Sequence, residues 1–170
     1  MVTVAKPIDA VALLKQDHAE VKAMFKQYDE LGDRAFVAKQ KLAEKICLEL
    51  TKHAIAEEEI FYPAMRTEGE DAEDLVDEAT VEHASAKELI AQIHSMDPHD
   101  DLYDAKVKVL GEYIDHHVKE EEEEMFPQAK KAGLDLMALG QQIQARKDEI
   151  DEIPPMPMPG KLLEQNRPGV

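Results

Sequence analysis

His53-Ala54-Ile55-Ala56-Glu57-Glu58-Glu59-Ile60-Phe61-Tyr62-Pro63 and His117-Val118-Lys119-Glu120-Glu121-Glu122-Glu123-Glu124-Met125-Phe126-Pro127 are one pattern written twice. In each copy a glutamate follows the histidine after four residues and a proline follows it after ten. The copies lie 64 residues apart, and a shorter match upstream of each, Asp17-His18-Ala19 against Glu82-His83-Ala84, repeats at an offset of 65. A helix pair used twice builds a bundle with approximate twofold symmetry. On an α-helix residues i and i+4 stand one above the other about 6 Å apart, so each His-x-x-x-Glu presents an imidazole and a carboxylate on one face.

Outward from these motifs the apolar residues keep helical spacing. A first helix is expected from Asp9, an N-cap after Pro7, with Val11, Leu14, His18, Val21 and Phe25 on one stripe as far as Leu31, where Gly32 ends it. A second runs from about Asp33 to Met65, with Leu42, Ile46, Leu50, His53, Glu57 and Ile60 aligned and Pro63 kinking or closing its last turn. After an acidic turn at Gly69 to Ala72, Leu75, Ala79, His83, Ala86, Ile90 and Ile93 mark a third helix that stops at Asp97-Pro98. The fourth spans about Leu102 to Lys131, its stripe holding Val107, Leu110, Ile114, His117, Glu121 and Glu124. A short fifth helix, Leu134 to about Glu152, leads into a Pro/Met tail from Pro154 to Gly160 that reads as extended. The reading is all-α: residues 1–131 form a four-helix bundle, and residues 132–170 add the fifth helix and the tail.

Composition agrees. Gly numbers only 7 of 170 residues, and β-branched runs bounded by turn residues are missing. The net charge of −17 leaves no basic patch for a phosphate backbone or an anionic lipid surface, whereas a cation is a natural guest. Cys47 is the only cysteine, which excludes an intrachain disulfide and a thiolate-rich metal site and fits a reducing compartment. Met1 to Ala10 lacks a stretch of signal-sequence character and no window is apolar enough to span a bilayer. The expectation is a soluble, cytoplasmic chain with no nucleic-acid or membrane partner.

His18, His53, Glu57, His83, His117 and Glu121 are the candidate metal ligands. One histidine on an apolar stripe is usually a core residue, and an i,i+4 His/Glu pair often lies on a surface. Two acidic side chains inside a bundle, however, cost several kcal/mol each without a partner, and a metal explains them together with the four stripe histidines. Four imidazoles and two carboxylates form a mixed nitrogen and oxygen set that suits iron, and a bridging carboxylate can hold two ions about 3.5–4 Å apart. His116 sits about 100° off the stripe, and His94 and His99 read as surface residues. Tyr113, four residues before His117, falls either in the core or near the metal. Glu124 either lines the bundle near the site or lies where the bundle opens to water, the simpler alternative.

His18, His53-x-x-x-Glu57, His83 and His117-x-x-x-Glu121, with Phe-Tyr-Pro63 and Met-Phe-Pro127 closing the motifs, resemble the hemerythrin HHE cation-binding family over roughly residues 9 to 131. The resemblance implies an up-down-up-down bundle and a non-haem di-iron site, its two Fe ions bridged by oxide or hydroxide. It also implies a small oxidant as partner: dioxygen, hydrogen peroxide or nitric oxide. The oxygen carriers of that family use a fifth histidine one turn from the third-helix ligand, and here those positions are Ala79 and Lys87. They also use a His-x-x-x-x-Asp spacing on the last helix, which leaves Glu122 beside Glu121, and Glu58 beside Glu57, as alternative ligands. Reversible oxygen carriage is therefore disfavoured against chemistry or sensing at an exchangeable position, and turnover stays open. A ferritin-like carboxylate enzyme would need Glu-x-x-His and a zinc hydrolase His-Glu-x-x-His, and neither motif occurs. The remaining alternative is a metal-ordered regulatory module whose fifth helix or tail engages a protein partner, or an iron-binding protein without turnover.

Overall fold

The computed structural model describes residues 6–155, and within them the regular structure is helical with no strand. Five rods carry the chain. α1 is Ala10–Asp29; α2, Phe36–Ala56, continues through a π-helical turn, Glu57–Phe61, into α3, Tyr62–Arg66; and α4 is Glu70–Ser95. α5, Tyr103–Glu120, continues through a second π-turn, Glu121–Met125, into α6, Phe126–Ala132, and α7 is Leu136–Asp148. The tail expected from Pro154 lies outside the described residues after Pro155, as does the start of the chain through Ala5.

Local chemistry sets the ends. Asp9 caps α1 by accepting from the Ala12 N–H at 2.8 Å, as expected, and Asp135 caps α7 through the Ala138 N–H at 3.0 Å. Gly133 closes α6 with φ +75°, a left-handed conformation that glycine adopts without a Cβ clash. The second rod starts at Phe36 rather than Asp33, and α7 is shorter than expected at both ends. Pro63 lies in the last turns of the second rod, which ends at Arg66, three residues after it. It sits in the first turn of α3, immediately after the π-turn, where Tyr62 N–H reaches back five residues to the Glu57 carbonyl. Phe126 N–H does the same to Glu121 ahead of Pro127. The wider turn accommodates a proline that has no N–H and would crowd the carbonyl four residues back.

The core divides into two apolar clusters. One gathers Leu14, Phe61, Tyr62, Met65, Val76, Met125, Phe126 and Ile143; the other gathers Val21, Met24, Ile46, Cys47, Leu50, Ile90, Val107 and Leu110. Between them, along each long helix, come His18, His53, Glu57, His83, His117 and Glu121, all buried. A polar slab thus crosses the centre of an otherwise apolar interior.

α7 packs on α1 and α2 and contributes Ile143 to the first cluster. Gly140 makes that approach possible: a Cβ there would lie 2.4 Å from the Ile8 carbonyl oxygen and 2.9 Å from the Ala10 nitrogen. Replacing Gly by Ala in a helix interior normally stabilises it by up to about 1 kcal/mol. Because both obstacles are backbone, Gly140→Ala is expected instead to destabilise the fold by about 1–3 kcal/mol. Urea unfolding measures this, and a gain in stability would show that α7 does not dock so closely.

Candidate metal centre

All six candidate ligands converge. His18, His53, Glu57 and Glu121 bring one donor atom each within 4.8 Å of one another, and so do His83, His117, Glu57 and Glu121. Glu57 faces the first quartet with Oε1, 3.1 Å from His53 Nε2, and the second with Oε2, 3.2 Å from His83 Nε2. Glu121 does likewise, with Oε2 3.2 Å from His18 Nε2 and Oε1 3.3 Å from His117 Nε2. Each carboxylate therefore spans both quartets. The imidazoles keep the twofold relation: the His18–His53 and His83–His117 ring planes are each inclined at 58°, with centroids 4.9 and 4.7 Å apart.

Glu57 is 0% exposed and Glu121 1%, so water does not solvate them. Within the first quartet His18 Nε2, His53 Nε2, Glu57 Oε1 and Glu121 Oε2 are buried without any hydrogen-bond partner. Four orphaned polar atoms aimed at one point would be costly in a finished protein interior, and a cation at that point satisfies all four. Adjacent donors of a six-coordinate ion with bonds of about 2.1 Å lie about 3 Å apart, which matches the 3.1–3.3 Å spacings of both quartets. The donor set fits a pair of metal ions.

Each imidazole is held from behind by a carboxylate. Nδ1 of His18 pairs with Glu122 at 3.0 Å, of His53 with Asp17 at 3.0 Å, of His83 with Glu58 at 2.9 Å and of His117 with Glu82 at 2.6 Å. An Nδ1–H donated outward leaves Nε2 free to bind inward and fixes the ring's orientation. Glu58 and Glu122, expected as alternatives to Glu57 and Glu121, thus serve as outer partners, because each points one residue further round its helix. Asp17 and Glu82, which the sequence showed only as part of the repeat, have the same role. Beyond them Lys87 reaches Glu58 at 2.5 Å, Lys147 of α7 reaches Asp17 at 2.5 Å, and the exposed His116 lies 3.4 Å from Glu82.

The electrostatics follow from this packing. Burial disfavours charge on His53, yet Glu57 and Asp17 overcome it and push the imidazole up to about 10. His83 and His117 are raised against burial in the same way by their carboxylates. For Glu121 burial is outweighed by His117 and His18, which hold it well below the usual carboxylate range, and Glu57 is lowered by His53 and His83 despite burial and the nearby Glu121. A proton on Nε2 as well as Nδ1 is thus the alternative to a cation: it turns these acceptor–acceptor contacts into donor–acceptor ones and offsets the carboxylate charge when metal is removed.

Tyr113, one expected candidate, is 49% exposed and belongs neither to the buried core nor to the donor quartets. Glu124 is exposed. Tyr62 comes in instead. Its hydroxyl donates to Glu121 Oε1 at 2.7 Å and to Glu57 Oε2 at 3.2 Å, and lies 3.1 Å from His83 Nε2. At 100° per residue Tyr62 would sit about 140° round the helix from Glu57; the π-turn inserts the extra residue that brings it over the glutamate. The signal in the sequence was the proline six residues after each glutamate, with Tyr62 before one and Phe126 before the other.

On the side facing the second apolar cluster, a cavity of about 30 Å³ is bounded by the four imidazoles and by Val21, Leu50, Ile90 and Ile114. One water needs about 10–15 Å³ of such space, so the cavity admits two or three heavy atoms.

A model of the hemerythrin HHE cation binding domain matches residues 9–129. The fold is similar to that of a hemerythrin HHE cation binding domain-containing protein from Mycobacterium kansasii, with a TM-score of 0.71 and 21% identity over 84% of this chain and 87% of that one. The chain is also 32% identical over 117 residues to a DNA nickase of Nostoc sp., a match that takes in 67% of this chain and 31% of that protein. It thus spans about a third of the length of that relative.

The raised imidazoles make the metal-free fold sensitive to pH. A histidine at 6.5 when unfolded and about 10 when folded stabilises fully below 6.5, and its contribution is lost as pH climbs to about 10. The lowered carboxylates contribute above their ordinary 4.5 and lose that contribution as pH falls through their folded values. Chelator-treated protein is therefore expected to be most stable between pH 4.5 and 6.5, with Tm falling steadily from 6.5 towards 10. A flat or rising Tm over that upper range would contradict a proton-balanced cluster.

Proposed function

This chain belongs to the hemerythrin HHE cation-binding domain family, and from that premise we propose that it is a non-haem di-iron protein that binds, senses or reacts with a small oxidant. In this reading the ligands are His18, His53, His83 and His117 with Glu57 and Glu121 shared, on four helical rods running up, down, up and down. The observation that carries it is the pair of donor quartets joined through two wholly buried carboxylates. The imidazole nitrogens favour iron over magnesium or calcium. Bound there, iron supplies reversible one-electron exchange and an exchangeable coordination position.

The chain's own residues set what can reach that position. The cavity beside the imidazoles holds two or three heavy atoms among mostly aliphatic walls, with Asp17 and Lys87 also on its lining, a size that suits dioxygen, peroxide or nitric oxide. Asp17, Glu58, Glu82 and Glu122 fix the rings and raise their basicity through Nδ1. Where the oxygen carriers place a further histidine, Ala79 is packed in the core and Lys87 is engaged with Glu58. That supports oxidant sensing or turnover over reversible carriage. Strand cleavage is not carried over from the Nostoc DNA nickase, since this chain spans 31% of it and a net charge of −17 repels a phosphate backbone. A single buried Cys47 is compatible with a reducing cytoplasm.

Protein purified from iron-supplemented cells is expected to carry two irons per chain, with ligand-to-iron charge-transfer absorption that disappears on anaerobic reduction. Dioxygen, peroxide and nitric oxide added separately to the reduced protein should restore or alter that absorption at different rates, and the fastest identifies the oxidant. Sub-stoichiometric metal, or zinc with no redox-sensitive absorption, would overturn the reading.

A further inference from the structure

The repeat that builds the site is broken at one position. Tyr62 and Phe126 occupy equivalent places, each five residues after a shared glutamate and immediately before a proline. Each follows a π-turn that rotates its ring toward the polar slab. Phe126 stacks on His18 of the first quartet, 5.7 Å between centroids and 9° between planes, and offers no donor atom. Tyr62 packs beside His83 of the second quartet at 5.3 Å and sends its hydroxyl into the cluster.

That hydroxyl is placed as a donor among donors. Its distances of 2.7 Å to Glu121 Oε1, 3.2 Å to Glu57 Oε2 and 3.1 Å to His83 Nε2 are to three of the four atoms that face the second position. They fall close to the spacing of about 3 Å between adjacent ligands of one six-coordinate ion. They also account for most of the reason that every orphaned donor belongs to the first quartet: the phenol partners Glu57 Oε2, Glu121 Oε1 and His83 Nε2, and His83 Nε2 in turn lies 3.0 Å from His117 Nε2, whereas among the described residues no side chain enters the first quartet in this way. Tyr62 enters from the side of the first apolar cluster, and the small cavity lies against the second cluster and does not include it.

We infer that Tyr62 is a metal ligand, a fifth protein donor to the second position only, so that the two ions of the proposed pair are chemically distinct. This rests on the di-iron reading and deepens it. Binding replaces the phenol's hydrogen bonds with an oxygen–metal bond, and its proton leaves to solvent; a cation reverses the preference of such a group for its protonated form. The position served by Phe126 keeps four protein donors, and an added small ligand should bind there first.

The test is spectroscopic and uses the full chain loaded with iron and oxidised. Ferric phenolate gives a visible charge-transfer band and resonance-enhanced tyrosine ring vibrations. Wild-type protein should show both, Tyr62→Phe should lose both while retaining two irons, and Phe126→Tyr should increase the band. Tyr28, Tyr103 and Tyr113 make no contact with the cluster, so the assignment is unambiguous. Two irons in the wild type without phenolate signals would overturn the role of Tyr62 and leave the di-iron site standing. Signals that persist in Tyr62→Phe would do the same. One iron with phenolate signals would refute the pair and keep Tyr62 as a ligand, and no metal uptake would overturn both. Should Tyr62→Phe fail to fold, the wild-type signals and their increase in Phe126→Tyr still decide the matter.

Discussion

Two carboxylates sit at the centre of a helical core with no access to water, and the rest of the structure answers that constraint. Removing an ionised carboxylate from water costs several kcal/mol even after relaxation, and Glu57 and Glu121 face each other across a shared site, which adds repulsion. Compensation is arranged in shells of alternating charge. Four imidazoles surround the glutamates, four further carboxylates hold the imidazoles, and Lys87, Lys147 and His116 meet three of those carboxylates near the surface. Burial falls from the glutamates through the imidazoles to Glu58, Glu82, Glu122, Lys87 and His116, which solvent partly screens, whereas the Asp17–Lys147 pair stays buried and neutralises itself beneath α7.

The same constraint explains the architecture. A polar slab cannot be excluded from the core, so the apolar residues divide into two clusters on either side of it. Two π-turns begin at the two glutamates, turning Phe61, Tyr62, Met125 and Phe126 beneath the slab as its apolar floor. Duplication gives both halves this geometry, down to the inclination of the imidazole pairs. The halves diverge at the site, where Tyr62 stands in one and Phe126 in the other, and outside it, where α7 brings Lys147 to Asp17 and the described residues offer Glu82, its repeat equivalent, no such helix.

Much of this was legible in the sequence. The helical class, the cap at Asp9 and the convergence of the six ligands follow from a 3.6-residue periodicity and an internal repeat, and both survive packing. What escaped lay where the periodicity itself fails. A π-turn advances the chain by one residue, which leaves Glu124 facing water, the simpler of the two placements expected for it, and brings Tyr62, read in the sequence only as part of the motif that closes at Pro63, into the site. Tyr113 sits outside although its spacing from His117 is helical, because a stripe position near a rod's edge is not thereby buried. The outer carboxylates Asp17, Glu58, Glu82 and Glu122 were visible as repeated residues, but which imidazole each one holds depends on contacts between helices that no local pattern encodes.

The central claim is that Glu57 and Glu121 are shared by two metal positions, each completed by its own pair of histidines. Anomalous diffraction at the iron edge from crystals of the iron-loaded chain tests it most directly. Two peaks per molecule are predicted, one beside His18 and His53 and one beside His83 and His117, with both carboxylates reaching across them. A single peak, or density outside this cluster, for example at the exposed Glu82, His116 and Glu120 group, would contradict the account.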